Sequence, residues 1–202
     1  MCDSTISSKQ FENLKAQGYT FFIGNYFNGA LVTDPNTING LYSGVNKNGI
    51  YCIGNAVSAP TTNRYAQARL PVDLLNAAKA SIGRTWLVVL NGLGSNWSNN
   101  LTENEQFIRE FVSYFPKPLG PQIGIMSTTE DYWRIVRSTF TIYDSNSNPI
   151  QLWWSDCTNG YQDYTNFTAF NNWYQPVMHR YNCSISIIDG QAEIKADLNW
   201  FA

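Results

Sequence analysis

Charged side chains are scarce in this sequence. Asp, Glu, Lys and Arg make up 14% of the 202 residues, against roughly 25% in typical soluble domains. The net charge is −2, and the 13 Lys and Arg residues are scattered along the chain. A protein that binds DNA, RNA or an anionic membrane usually carries a basic surface, so these partners are disfavoured.

Several other signals are also missing. No run approaches the roughly 18 consecutive apolar residues of a membrane-spanning helix. The first ten residues, MCDSTISSKQ, lack the apolar core of a signal peptide. There is no CxxC pair to suggest zinc, and the glycine pattern matches neither a dinucleotide-binding motif nor a P-loop. We therefore expect no metal and no cofactor.

Cysteines and glycosylation sequons are what the sequence does contain. Four Cys residues allow three pairings, and the sequence does not choose among them; Cys157 with Cys183, and Cys2 with Cys52, are the candidates. The sequons begin at Asn96, Asn100, Asn166 and Asn182. An Asn-rich chain also makes sequons by chance. Together these features favour a secreted or lumenal glycoprotein whose leader has been removed.

Apolar runs and helical patterns alternate along the chain. About eight strands are predicted, including a short one at Met1–Ser4, the apolar run 86–90 and a final one at 192–201. Most of the early strands are followed by a helical pattern, which predicts parallel strands with helices outside. The fold class is therefore α/β, in one domain spanning residues 1–202. An irregular TIM-like (β/α) barrel is favoured over an open doubly wound sheet because the strand count fits eight.

Five segments, in order, resemble the glycoside hydrolase family 25 lysozymes, especially the short eukaryotic branch known from nematodes and protists. The segments are CDSTISSKQFENLKAQGYTFFIGNYFNG, NGI with the strand after it, IGIMSTTEDYWRIV, LWWSDCTNGYQDYTNFTAFNNWYQPVMHRY and ADLNWF. The resemblance implies an irregular β/α barrel with a sugar-binding groove at the carboxyl ends of the strands. It also implies an ancestral reaction, hydrolysis of the bond between muramic acid and glucosamine in peptidoglycan.

The catalytic acids of that family are only partly present. The first-strand and last-strand Asp residues match Asp3 and Asp197, but the family's D-x-E pair at the end of the fourth strand falls on Val89 and Asn91. No Asp or Glu occurs between Ser81 and Thr102, so a shift of one residue does not restore the pair. General acid catalysis contributes about 10² to 10⁴ in rate, and neither Val nor Asn can supply it.

The resulting prediction is a catalytically inactive lysozyme-like protein with a binding or structural role, with a glycan or a protein, including a second copy of itself, as partner. Groove aromatics could stack on sugar rings, although such rings more often pack in a core. The candidates are Trp97, Trp153, Trp154 and Tyr181. The alternative is an active muramidase with a relocated acid, for which Asp156 at the end of the sixth predicted strand is the candidate. The single histidine, His179, is interpreted as a hydrogen-bonded wall residue.

Overall fold

Seven strands and four helices make up the described part of the chain in the computed structural model. That part comprises residues 6–28, 38, 42, 50–58, 60–79, 82–92, 96–115, 122–158, 160–188 and 193–201. The strands are β1 (Phe21–Asn28), β2 (Tyr51–Val57), β3 (Arg84–Val88), β4 (Gln122–Ser127), β5 (Gln151–Ser155), β6 (Met178–Ile188) and β7 (Glu193–Phe201). The helices are α1 (Ser8–Ala16), α2 (Pro60–Ala78), α3 (Leu101–Tyr114) and α4 (Thr129–Ile135). None of these helices is long and apolar enough to cross a membrane.

The strands form one sheet in the order β1 to β7. The ladders from β1 to β6 are all parallel, and only β6 and β7 run antiparallel. Helices α2, α3 and α4 each connect two neighbouring parallel strands, as parallel pairing requires. The predicted α/β class is therefore confirmed.

The sheet curls so that its two edge strands approach each other. The ring of Phe21, at the start of β1, meets the ring of Phe201, at the end of β7, edge-on with centroids 4.9 Å apart. Within the described residues no ladder joins β7 to β1, so the architecture is irregular and complete closure stays a prediction. The strand predicted at Met1–Ser4 lies outside the described residues.

Side-chain caps define where helices α1 and α3 begin. At α1, the Ser7 hydroxyl accepts from the Gln10 N–H and the Gln10 side chain accepts from the Ser7 N–H, which is a capping box. At α3, the Asn100 side chain accepts from the Thr102 N–H. Both caps satisfy backbone N–H groups that have no partner within the helix.

Two apolar clusters lie on the two faces of the sheet. The inner cluster, on the face without helices, consists of Ile23, Ile53, Val57, Trp86, Val88, Leu90, Met126, Trp153 and Met178. The outer cluster joins the other face to the helices and includes Leu87, Val89, Phe107, Phe111, Ile125 and Leu152. Because side chains alternate along a strand, each of the strands β1 to β6 contributes to both clusters.

Candidate functional site at the carboxyl ends of the strands

The end of β3 presents apolar side chains to the interior of the curled sheet. Val88 and Leu90 belong to the inner cluster and are 0% and 4% exposed. Val89 lies in the outer cluster, and its backbone is held by β4: its N–H donates to the Met126 carbonyl at 2.8 Å, and its carbonyl accepts from the Ser127 hydroxyl at 2.6 Å. The inward positions at this strand end are therefore 88 and 90.

Asn91 follows on the solvent side. It is exposed, in a bend, and precedes Gly92, whose φ is +85°. The alignment on glycine 92 places the family's two acids at positions 89 and 91, one residue away from the positions that face the interior. In either register the residues are neutral.

The carboxylate of Asp197, in β7, is bound by an arginine side chain. It forms an ion pair with Arg180 of β6 at 2.9 Å, and the two side chains are only 7% and 12% exposed. The Ser184 N–H donates to the same carboxylate at 2.8 Å, and Arg180 also donates to the Ser155 hydroxyl at 3.3 Å. Burial works against ionisation of Asp197, but hydrogen bonding and nearby positive charge, including Ser184 N–H and Arg180, hold the pKa of its carboxyl below the usual range.

A group with this environment stays ionised at neutral pH, so it can accept hydrogen bonds but is a poor proton donor. Asp3, the other acid matched by the resemblance, lies outside the described residues.

Asp156 lies directly after β5 and takes part in a local turn. Its carboxylate accepts from the Thr158 N–H at 3.0 Å and from the Thr158 hydroxyl at 2.6 Å. Its backbone N–H donates to the Arg180 carbonyl at 3.1 Å. The candidate relocated acid is thus at the predicted strand end, with its carboxylate used in shaping the turn.

His179 connects β6 to the loop that follows β5. Its ring is 1% exposed and stacks on Trp154 with centroids 4.3 Å apart. Nδ1 lies 2.8 Å from the Asp163 carbonyl oxygen and Nε2 lies 3.1 Å from that of Asp156. The buried ring therefore packs as part of the wall at this end of the sheet.

A disulfide joins the same two elements. Cys157 in the loop after β5 is bonded to Cys183 in β6, with Cα atoms 5.5 Å apart. One of the two candidate pairs is therefore confirmed. The other pair includes Cys2, which lies outside the described residues.

The four predicted ligand-binding aromatics have their rings in packing contacts. Trp153 is fully buried edge-on to Trp86, and Trp154 is covered by His179 and Phe167. Trp97 is half-buried against Phe107, and its indole N–H donates to the Leu90 carbonyl at 3.2 Å. Tyr181 is buried, with its hydroxyl accepting from Gln162 at 3.0 Å.

Exposed aromatics lie outside these four residues. Trp133 is 49% exposed on α4, and Tyr174 is 87% exposed in the loop before β6. The Trp133 indole N–H donates to Asn171 at 2.9 Å, which fixes the ring on the surface. Helical spacing does carry a signal for Trp133, because Tyr132 and Ile135 on the same short helix face the core.

A cavity of about 620 Å³ lies between α1, β1 and the β6–β7 pair. We call it the seam cavity. Its wall is mostly apolar, with Phe11, Leu14 and Phe22 among the lining residues, and polar groups of Gln162, Asp197 and Asn199 also line it. Its lining comes from segments far apart in sequence, so no local motif predicts it.

The four sequon asparagines differ in exposure. Asn96, Asn100 and Asn166 are exposed, whereas Asn182 is half-buried in β6. Asn100 also donates to Glu103 at 3.2 Å while it caps α3. No group of three His, Cys, Asp or Glu side chains able to hold a metal occurs in the part of the chain that the structure describes.

Comparison with known proteins gives a consistent result. A family model described as "Lysozyme-like protein 1" matches residues 2–181. A curated relative, probable GH family 25 lysozyme 4 of Dictyostelium discoideum, is 26% identical over 132 residues, which cover 64% of this chain and 54% of that protein. The chain therefore spans about half the length of this curated relative.

Two solved structures share the fold. The spore cortex lytic enzyme SleM of Clostridium perfringens matches with a TM-score of 0.67 at 15% identity, over 93% of this chain and 61% of that one. GHIP, a glycosyl hydrolase 25 of Streptococcus pneumoniae, matches with a TM-score of 0.58 at 15% identity, over 95% and 80%.

Proposed function

The chain belongs to the family of lysozyme-like proteins, and on that premise we propose that it is catalytically inactive and acts by binding or by self-association. The observation that carries the proposal is the end of β3, where the two side chains that face the interior, Val88 and Leu90, are apolar and buried. Hydrolysis of a glycoside requires two carboxyl groups roughly 5 to 9.5 Å apart, one of them able to donate a proton.

Asp197 supports the same proposal. Its ion pair with Arg180 favours the carboxylate, so this acid is held in the form that cannot protonate a leaving group. The relative in Dictyostelium discoideum is named a probable lysozyme; the neutral end of β3 is the feature that would separate this chain from an active enzyme.

The rival function is an active muramidase that uses Asp156, which the structure places after β5 at the same edge of the sheet as the end of β3. Clearing of bacterial cell walls by the pure protein, at acidic and at neutral pH, tests both. We expect no clearing above that of heat-denatured protein. Clearing that is lost in Asp156→Asn, with an unchanged circular dichroism spectrum, would replace the proposal with the muramidase.

Asp156→Asn is a better test than Asp197→Asn. Replacing Asp197 leaves the Arg180 charge buried without its partner, and removal of one member of a buried pair is strongly destabilising. Loss of activity in Asp197→Asn would then not distinguish unfolding of the protein from the loss of a catalytic group.

Binding has two branches, and the structure favours protein association over stacking of sugars on the predicted groove aromatics. Those rings are packed against other side chains, whereas Trp133, Tyr161 and Tyr174 are exposed on a protein with few charges to oppose association. Sedimentation velocity over a range of concentrations should show self-association that weakens in Tyr174→Ser. A tryptophan fluorescence response to millimolar chitin or peptidoglycan fragments would favour the glycan branch instead.

We also propose a secreted or lumenal location. The disulfide between Cys157 and Cys183 and three exposed sequon asparagines suit an oxidising compartment with N-glycosylation.

A further inference from the structure

Asn91 and Gly92 form an Asn-Gly pair at the mouth of the curled sheet. Both residues are exposed and lie in a bend outside any strand or helix. Gly92 has a φ of +85°, and a side chain added there would meet no atom of the described residues within 4 Å. Of the five Asn-Gly pairs in the sequence, this is the one for which both residues fall within the described ranges.

We propose that Asn91 is a site of spontaneous deamidation that converts it to a carboxylate. The backbone nitrogen of Gly92 attacks the Asn91 side-chain carbon Cγ, so that an N–Cγ bond forms and the Cγ–Nδ2 bond breaks. Nδ2 leaves as ammonia, taking up the proton released from the Gly92 nitrogen, and a five-membered succinimide remains. Water then opens this ring: attack at the side-chain carbonyl gives aspartate, and attack at the backbone carbonyl gives isoaspartate. The only co-reactant is water, and nothing is oxidised or reduced.

The residue that follows Asn91 makes this position selective. The attacking nitrogen must approach Cγ closely, and a side chain on the following residue hinders that approach; glycine has none and allows the widest range of backbone angles. Asn96 and Asn100 are also exposed in the segment between β3 and α3, but they precede the bulky residues Trp97 and Leu101. They are matched internal controls in the same folded molecule.

The modification changes both charge and connectivity next to the inner cluster. Either product adds one negative charge at the end of β3, where the unmodified chain has no acid between Ser81 and Thr102. Isoaspartate also adds one methylene to the backbone between Leu90 and Trp97. These two residues are tied by the hydrogen bond from the Trp97 indole N–H to the Leu90 carbonyl, so the environment of Trp97 should change as isoaspartate accumulates.

Peptide mapping by mass spectrometry tests the proposal on folded protein aged at mildly alkaline pH and physiological temperature. We expect the mass increase of amide-to-acid conversion at Asn91 at least an order of magnitude faster than at Asn96 or Asn100. An acidic form should appear at the same isoelectric point as the Asn91→Asp variant. In Asn91→Gln, whose longer side chain would need a six-membered ring, the peptide that contains position 91 should age without this mass increase.

Two results would overturn the proposal. One is conversion at Asn91 no faster than at Asn96 and Asn100. The other is conversion of Asn91 in the denatured chain but not in the folded protein, because the bend would then protect the pair. Neither outcome depends on whether the protein hydrolyses cell walls.

Discussion

Asp197 shows how a single partner changes what an acid can do. The carboxylate is retained in the last strand, where burial opposes its ionisation, but the Ser184 N–H and Arg180 bind it and both favour the ionised form. The same contacts that favour its ionised form make it a structural ion pair, which predicts a measurable dependence of stability on pH.

Asp197→Asn should destabilise the protein at neutral pH by about 3 kcal/mol, because the buried Arg180 charge loses its partner. The pKa of Asp197 is lower in the folded than in the unfolded state, so its contribution is present above the unfolded value of about 3.9 and is lost as the pH falls through the folded value. Urea denaturation across this acid range should therefore show a shallower loss of stability in the variant than in the unmodified protein.

Glu130→Gln is the control for this measurement. Glu130 also pairs with an arginine, Arg134, but both side chains are largely exposed, and such pairs contribute about 0 to 1 kcal/mol. Equal effects of the two substitutions would show that the Asp197–Arg180 pair is not buried in solution.

The sequence predicted that Asp197 lies in the last strand but not that Arg180 binds it. The two residues are not direct partners in the ladder, where Arg180 is opposite Asn199, and the register of β6 and β7 shifts between Arg180 and Asn182. Asp197 lies two residues from Asn199, so it is a diagonal cross-strand neighbour of Arg180. Residue spacing alone does not give the register that brings the two together. The sequence left Trp153 and Trp154 open between core packing and sugar stacking, because strand-end aromatics look alike whether buried or exposed.

At the scale of one element, β3 shows why the facing of a buried strand is hard to predict. Its residues are apolar without alternation because both faces of a parallel sheet are covered. The structure assigns Trp86, Val88 and Leu90 to the inner cluster and Leu87 and Val89 to the outer one. An alignment anchored on Gly92 cannot show which of these side chains face the interior of the curled sheet.

Two substitutions test the burial pattern at the end of β3. Val88→Asp places a charge at a fully buried position and should cost more than about 3 kcal/mol of unfolding free energy. Asn91→Asp adds the same group at an exposed position and should change stability by less than about 0.5 kcal/mol. Chemical denaturation measures both effects, and the reverse order would contradict the burial of position 88 and the exposure of position 91.

The loop between β5 and β6 depends on its disulfide. Cys157 and Cys183 are 26 residues apart, and a cross-link of that length is worth about 3 kcal/mol in the chain-entropy model. The double variant Cys157→Ser, Cys183→Ser should lose about that amount in thermal or urea denaturation. Unmodified protein under reducing conditions should match it; an unchanged midpoint in both would mean that the loop is held by its other contacts alone.

For the whole molecule, the alternation of strands and helices was sufficient to predict the α/β class, because a parallel ladder needs a crossover and most of the early strands are followed by a helical pattern. The seam cavity was not predictable. Its lining combines residues such as Phe11 of α1, Phe22 of β1 and Asn199 of β7, which come together only when the sheet curls. The first predicted strand, which contains Asp3, lies outside the described residues.

Expression through a eukaryotic secretory pathway should give an N-glycosylated protein. Asn96 and Asn166 are the most favourable acceptors because they are exposed and do not cap a helix, whereas Asn182 is half-buried beside the disulfide. Treatment with a peptide N-glycosidase should lower the mass, and Asn166→Gln should remove one glycan. Secreted protein with no change in mass on treatment would refute the glycoprotein prediction.

The order of the strands also separates a fast step of folding from slower ones. Four residues separate β6 from β7, and a local hairpin of this kind forms in about 1 to 10 μs. Each of the five parallel ladders must instead bring together strands separated by a long crossover, which slows folding because the loop entropy is lost before the contacts form. We therefore expect the carboxyl-terminal hairpin to be present early, as the edge on which β5 and then the remaining strands assemble.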